Sequence, residues 1–397
     1  MSVFADRIKN LKESQTIKMA RISRELKEQG HDIISLSLGE PDFVTPSYIR
    51  EGAKKAIDDG FTFYPPISGF NDLRKAISEK FRKENNLDYS PDQIVVSTGA
   101  KQSIANVVLC LINPGDEVLI PAPYWVSYSQ IIRLAEGIPV FLNTNIDSDF
   151  KVSAEQLEKA ITPRTKMFVF SSPCNPTGTV YSKEELEKLA EVFSKNDRIF
   201  VLSDEIYEHI NFSGKHESIA SIPQIKDRVI VVNGVSKGYA MTGWRIGYIG
   251  ATVEIAKACD KIQGQFTSGA SSVSQKAALI ALSESSKENH HMLKAFKRRR
   301  DLVYKLLNEI KSLKVNKPQG AFYFFPDVSA YFGKKNGELT ISTPDDLCEY
   351  LLKNAGVSVV TGTAFGNSDC IRLSYAASDK LLMEALKRIK ASLDKLN

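Results

Sequence analysis

Between Ile94 and Gly250 the chain repeats one theme: a short apolar or β-branched run, a polar exit and, in most cases, an amphipathic helical stretch. The runs are IVVSTG (94–99), EVLIP (117–121), PVFL (139–142), MFVFSS (167–172), one ending at Asp204, VIVVNG (229–234) and WRIGYIG (244–250). Unbroken apolar character, in place of alternation, suits strands covered on both faces. Helical patterns begin near Lys101, span 124–135, and start again at Ser153 and Ser182. Each of those serines has Gln156 or Glu185 three residues on, the spacing of a capping box. The alternation predicts an α/β fold whose large domain is a mostly parallel seven-stranded sheet flanked by helices.

Outside this stretch the pattern changes. Residues 16–30 form one amphipathic helix, and Thr45-Pro46 has the form of a cap and first turn for the next. From about residue 290 a long charged helix gives way to short strands around 315, 322–326, 357–361 and 370–375, before a closing helix at 378–395. We therefore expect an N-terminal arm (1–15), a small α+β domain from both termini (16–47 and 290–397), and a large domain (48–289). No internal repeat and no linker rich in Gly, Pro or Ser divides the chain, and 397 residues suffice for two such units.

Several function classes recede on composition. The net charge is only +5, and the densest basic cluster (Lys294, Lys297, Arg298, Arg299, Arg300) lies in a helical pattern, as a solvated or ion-paired face does. Nucleic-acid binding would want more clustering and aromatic platforms. No run approaches the roughly 18 apolar residues of a membrane span, and the N-terminus lacks an apolar signal core. The five cysteines are scattered without a C-x-x-C pair, which suggests reduced thiols in the cytoplasm. The five histidines lack metal-ligand spacing, so no metal is expected.

Ligands of an open α/β sheet bind beyond the carboxyl ends of its strands, and the chemically versatile residues here stand at those exits. Lys237 follows VIVVNG; a lysine there is ordinarily a surface charge, but a buried one beside a cation such as Arg245 loses its proton more readily, as Schiff-base chemistry requires. Asp204 ends an apolar run; it suits either a helix cap or a carboxylate beneath a pyridinium nitrogen. Tyr207 is placed to donate to a ring oxygen, or to fill core. Gly99, Ala100 and Lys101 open a helix, where free amides and the helix dipole favour phosphate. Asn175-Pro-Thr-Gly178 is a turn in which a cis proline is plausible, Trp125 suits stacking, and Arg372 suits a carboxylate.

Together these segments resemble the class I and II aminotransferases of pyridoxal-phosphate fold type I. The resemblance runs from Leu38-Gly-Glu-Pro-Asp42 through Tyr64, Pro123-Tyr-Trp-Val-Ser-Tyr128, Asn175-Pro-Thr-Gly178, Ser203-Asp-Glu-Ile-Tyr207, Ser236-Lys237 and Met241-Thr-Gly-Trp-Arg-Ile-Gly247 to Arg372-Leu-Ser-Tyr375. It implies that Lys237 carries pyridoxal 5′-phosphate as a Schiff base and then shuttles a proton. Asp204 pairs with the pyridine nitrogen, Asn175 and Tyr207 bond the phenolic oxygen, and Trp125 stacks on the ring. Gly99, Ala100, Lys101, Ser236 and Arg245 hold the phosphate, with Tyr64 reaching in from the partner of a homodimer. Arg372 clamps the substrate α-carboxylate, aided by Gly39 and Asn175.

Within that family the chain is most similar to bacterial aspartate aminotransferases, some of which also aminate prephenate. The arginine that animal and enteric relatives lend across the dimer is missing from Gln263–Ser272. Lys12, ahead of Thr16, matches the lysine that the resemblance connects with prephenate; Lys101 is the other cation to consider. Aromatic, alanine or branched-chain specificity stays open, as does a carbon–sulfur lyase. A transcription regulator on this fold would need a fused basic helix-turn-helix domain, for which the chain has no room.

Overall fold

The computed structural model describes residues 3–9, 11, 15–284 and 287–397. Its large sheet has seven strands in the spatial order Ile94–Ser97, Gly247–Gly250, Val229–Gly234, Phe200–Asp204, Thr165–Ser171, Glu117–Ala122 and Ile138–Asn143. All neighbours run parallel except Gly247–Gly250, which is antiparallel to both of its partners. The expected architecture is therefore the observed one. The five central strands are apolar because each is buried on both faces, one face packed in a cluster around Leu119, Phe168 and Val231 and the other around Val118, Val169 and Ile230.

Local rules explain most boundaries. Ser182 and Glu185 form the reciprocal box, with Ser182 N–H donating to Glu185 Oε2 (2.7 Å) and Glu185 N–H to Ser182 Oγ (3.2 Å). Ser153 accepts from Gln156 N–H, but the Gln156 side chain donates to the Asn143 carbonyl instead, so that box is only half built. Thr45 does not cap: Pro46 is the N-cap of Ser47–Asp58, and the Thr45 hydroxyl donates to the Ala240 carbonyl (2.6 Å) while accepting from Trp244 Nε1 (2.9 Å). A distant partner outcompetes the local one. The helix expected over 124–135 is Ser127–Leu134, because Pro123 and Tyr124 are still strand exit. Around residue 315 there is only an isolated bridge, Lys314 to Asp327.

A second core gathers Ile34 and Leu36 with Phe296, Phe322, Phe324, Leu347, Leu373 and Leu386 from the C-terminal third, and it extends to Ile206, Tyr207 and Ile210, just past the strand Phe200–Asp204. The basic helix Lys287–Asn308 is ion-paired, but less solvated than expected. Arg299 and Arg300 are buried, Arg299 making a bidentate pair with Asp42 (2.7 and 2.9 Å), while Arg298 pairs with Asp379. Among the described residues no helix is long and apolar enough to cross a membrane.

Candidate active site

The carboxyl ends of the strands open onto one cavity of about 660 Å³. Lys237, three residues past the strand Val229–Gly234, enters its wall and donates to the Gly39 carbonyl at 2.5 Å. Burial pushes its ammonium down to about 8, with Arg372 and Arg245 adding repulsion against the pull of Glu40 and Asp204. A lysine poised there is a free amine about a tenth of the time at pH 7, far more often than a solvated lysine.

Asp204 ends its strand in the same cavity. One carboxylate oxygen accepts from the Tyr128 hydroxyl (2.6 Å) and the other from the Ile206 amide (3.3 Å). Burial pushes the carboxyl up to about 6, which those hydrogen bonds only partly oppose. It is a buried acid short of a cation. The Tyr207 hydroxyl meets that of Tyr323 at 2.7 Å, and its ring centroid lies 5.7 Å from Lys237 Nζ.

Arg372 is 1% exposed. Its Nη1 donates to Asn175 Oδ1 (2.9 Å) and its Nη2 to the Ser37 carbonyl (2.6 Å), while Nε is buried without a partner. The guanidinium lies between the rings of Tyr323 and Phe365, at 4.5 and 4.8 Å from their centroids. Because Asn175 spends its oxygen on Arg372, its amide nitrogen is the group left to donate into the cavity.

At the other end the helix Ala100–Leu111 presents its first turn, whose amides have no carbonyl partners within the helix. Gly99 has φ +80° there, and a Cβ on it would fall 2.1 Å from Arg245 Nη2, so only glycine lets the guanidinium close on the turn. Arg245 takes a left-handed backbone (φ 56°) and donates to the Thr242 carbonyl. Ser236 lines the same end, and Lys101 Nζ sits 5.0 Å from the Trp125 ring centroid, its ammonium lowered by burial and by Arg245. A glycine turn, a helix start and two cations are groups that could hold a phosphate.

Residues 31–389 match the family described as aminotransferase class I and II. The chain belongs to that family. It is 48% identical over 392 residues to a bifunctional aspartate aminotransferase and glutamate/aspartate-prephenate aminotransferase of Petunia hybrida, covering 98% of this chain and 82% of that one. It is 46% identical to an aspartate/prephenate aminotransferase of Cereibacter sphaeroides, covering 98% of both. Among solved structures it superposes on the aspartate aminotransferase from Rhizobium meliloti (TM-score 0.96, 43% identity, all of both chains). It also superposes on that of Thermus thermophilus with maleate (TM-score 0.92, 39% identity, 99% and 100% of the two chains).

For an aminotransferase of this family, the fold unites nearly every residue expected from sequence. Lys237, Asp204, Tyr207, Ala100, Lys101, Trp125, Asn175, Ser236, Arg245, Gly39, Arg372 and Thr16 all line the cavity. Gly99 stands behind Arg245, and Tyr64 stands apart, 95% exposed and outside this chain's own cavity wall. Lys12 lies outside the described residues. The cis peptide is not at Pro176 of the turn but at Ser172-Pro173, with another at Ala122-Pro123.

Sequence reasoning missed Tyr128, Tyr323 and Ser37 as partners of Asp204, Tyr207 and Arg372. Tyr128 carries a signal, since it stands three residues after Trp125, one helical turn. Tyr323, in an aromatic run, and Ser37, which contributes only its carbonyl, carry none. Arg21 and Arg24 of the helix Gln15–Glu28 also line the cavity and were not singled out.

Proposed function

We propose that the protein is an aspartate aminotransferase that uses pyridoxal 5′-phosphate to move the amino group reversibly between L-aspartate or glutamate and the 2-oxo acids oxaloacetate and 2-oxoglutarate. The observation that carries it is the meeting in one cavity of a lysine pushed down to about 8, a buried acid pushed up to about 6, and a buried guanidinium with a free Nε–H. The cofactor's parts fit these groups: its aldehyde Lys237, its ring nitrogen Asp204, its phenolic oxygen Asn175 and Tyr207, its ring face Trp125, its phosphate the cradle of Gly99, Ala100, Lys101, Ser236 and Arg245. When bound, it supplies an aldehyde that condenses with amines and a ring that accepts electron density from the substrate Cα.

The chain's residues do the rest. Lys237 Nζ would hold the cofactor at its aldehyde and, as a free amine, would take the proton from the substrate Cα. Asp204 favours a protonated ring nitrogen. Arg372 orients the α-carboxylate, with Asn175 and Gly39 beside it. The donor leaves as an oxo acid before the acceptor enters, so kinetics should be ping-pong. Aspartate as donor, and prephenate as a further acceptor, rest on the names of the relatives. We assign Lys12 and Thr16 to acceptor recognition, with Lys101 as the other cation to test.

We further propose a homodimer in which Tyr64 reaches the partner's phosphate, since Tyr64 and the neighbouring Phe63 and Phe266 are strongly exposed. We also propose a division into an arm (1–15), a small domain (16–47 and 290–397) and a large domain (48–289), supported by the core that gathers Ile34 and Leu36 with C-terminal residues. Free thiols at all five cysteines suit the cytoplasm. The test is direct. Purified protein should show the cofactor's visible absorbance, bleached by aspartate, and kcat/KM should favour aspartate and glutamate over alanine and phenylalanine. Absence of the band would refute the cofactor; equal use of alanine or phenylalanine would refute the specificity. Comparing prephenate as acceptor with and without Lys12→Ala tests that reading.

A further inference from the structure

The segment Asp204-Glu-Ile-Tyr-Glu208 carries two acidic residues that the reaction does not use. Asp204 and Tyr207 line the cavity, whereas Glu205 and Glu208 are absent from its lining and buried in polar networks. Glu208 accepts from Lys80 Nζ, from Asn85 Nδ2 (2.6 Å) and from Asn233 Nδ2 (2.7 Å). Lys80 ends the helix Asn71–Lys80, Asn85 ends the turn after it, and Asn233 belongs to the strand that leads to Lys237. One carboxylate thus ties the Tyr207 segment to the Lys237 segment and both to a helix.

A second contact runs the same way. His209, whose Nε2 lies 2.9 Å from Glu84 Oε2, packs so closely under the next loop that a Cβ on Gly238 would fall 2.4 Å from its Nδ1. The neighbour of Lys237 therefore rests on the neighbour of Glu208. Glu205 is held separately by Ser203 (2.9 Å), Ser218 (2.6 Å) and His216 (2.8 Å). These acids and histidines come near enough together to suggest a cation site, but the Lys80 ammonium already occupies the cationic position against Glu208.

We propose that Glu208 is a positioning residue of the aminotransferase reaction, fixing the Tyr207 hydroxyl and the Lys237 amine relative to each other through Asn233, Lys80 and the His209–Gly238 contact. The inference rests on the cofactor assignment above. It distinguishes Glu208 from a purely structural buried carboxylate, for which Glu117 at the far end of the sheet serves as the comparison. Glu117, 4% exposed, accepts from Thr162 (2.6 Å) and Arg164 at the opposite, amino end of the sheet.

The experiment compares Glu208→Gln with Glu117→Gln in the holoenzyme, measuring thermal stability, the pH midpoint of the cofactor's visible absorbance, and kcat and KM for aspartate. Both variants should lose stability. Only Glu208→Gln should move the absorbance midpoint, by about one pH unit, and lower kcat about tenfold, with KM changing less than about threefold because Arg372 lies outside the network. Asn233→Ala, which removes one donor and leaves the Lys80–Glu208 pair intact, should shift the midpoint in the same direction by a smaller amount. If Glu208→Gln does not fold, that variant decides alone. Midpoint and kcat unmoved beyond those of Glu117→Gln would overturn the positioning role. Lack of any band in the unsubstituted protein would instead refute the cofactor reading.

Discussion

The two ends of the large sheet treat buried charge in opposite ways. At the amino end Glu117 is met by the Thr162 hydroxyl and the Arg164 guanidinium, a pairing complete within the chain. Among the described residues at the carboxyl end, Asp204 has a hydroxyl and one amide but no ion-pair partner, Lys237 donates to a carbonyl, and Arg372 keeps a buried Nε–H without an acceptor. Burial then drives Asp204 up to about 6 and Lys237 down to about 8. Satisfied charge holds a fold together; charge left short of partners marks where a ligand completes the structure.

The contrast is broken most severely at Lys237. Lys237→Ala should leave circular dichroism unchanged while transamination falls by about 10⁴-fold or more, since both the holding amine and the proton carrier are lost. Near wild-type turnover would remove Lys237 from the mechanism. Arg372→Lys comes next. It keeps the charge but loses the fork and the stacking between Tyr323 and Phe365, so KM for aspartate should rise about 10- to 100-fold. An unchanged KM would show that the α-carboxylate binds elsewhere.

Asp204 sharpens the comparison thermodynamically. Its folded pKa lies above the unfolded value, so the folded cofactor-free protein binds its proton more tightly. This contribution to stability is present at low pH and is lost as pH rises from 3.8 to about 6. Asp204→Asn should therefore stabilise the cofactor-free protein at neutral pH by about 1–3 kcal/mol, yet weaken cofactor retention. Calorimetry and equilibrium dialysis read the two effects, and cofactor affinity at the wild-type level would refute the ring-nitrogen pairing.

Lys237 has the converse sign. Its folded pKa is depressed, so between about 8 and 10.5 the unfolded chain binds more protons and cofactor-free stability should rise with pH. Amine-selective labelling of Lys237 should become half-maximal near pH 8, below the range of exposed lysines; a midpoint near 10.5 would dismiss the environment described. The smallest effect belongs to the amino end. Glu117→Gln should cost about 1–2 kcal/mol in denaturant unfolding and leave kcat/KM unaltered, and a kinetic effect there would erase the distinction between the two ends.

The chain's linear pattern determined much on its own. Continuous apolar runs report strands covered on both faces whatever surrounds them, so the mostly parallel seven-stranded sheet was legible, and its exits at Asp204, Asn175 and Lys237 with it. Capping signals were legible only where no distant group competed. Ser182 obeyed its local rule, whereas Thr45 turned to Ala240 and Trp244, nearly 200 residues away in sequence. Tertiary structure alone decided the rest. Tyr323 becomes a partner of Tyr207, the Ser37 carbonyl a partner of Arg372, and Glu208 the link between Tyr207 and Lys237, because each relation depends on where remote backbone arrives. The pKa values are decided there too. A carboxylate or ammonium in the sequence has its ordinary affinity for a proton until the fold removes water from around it and chooses which charges stay near.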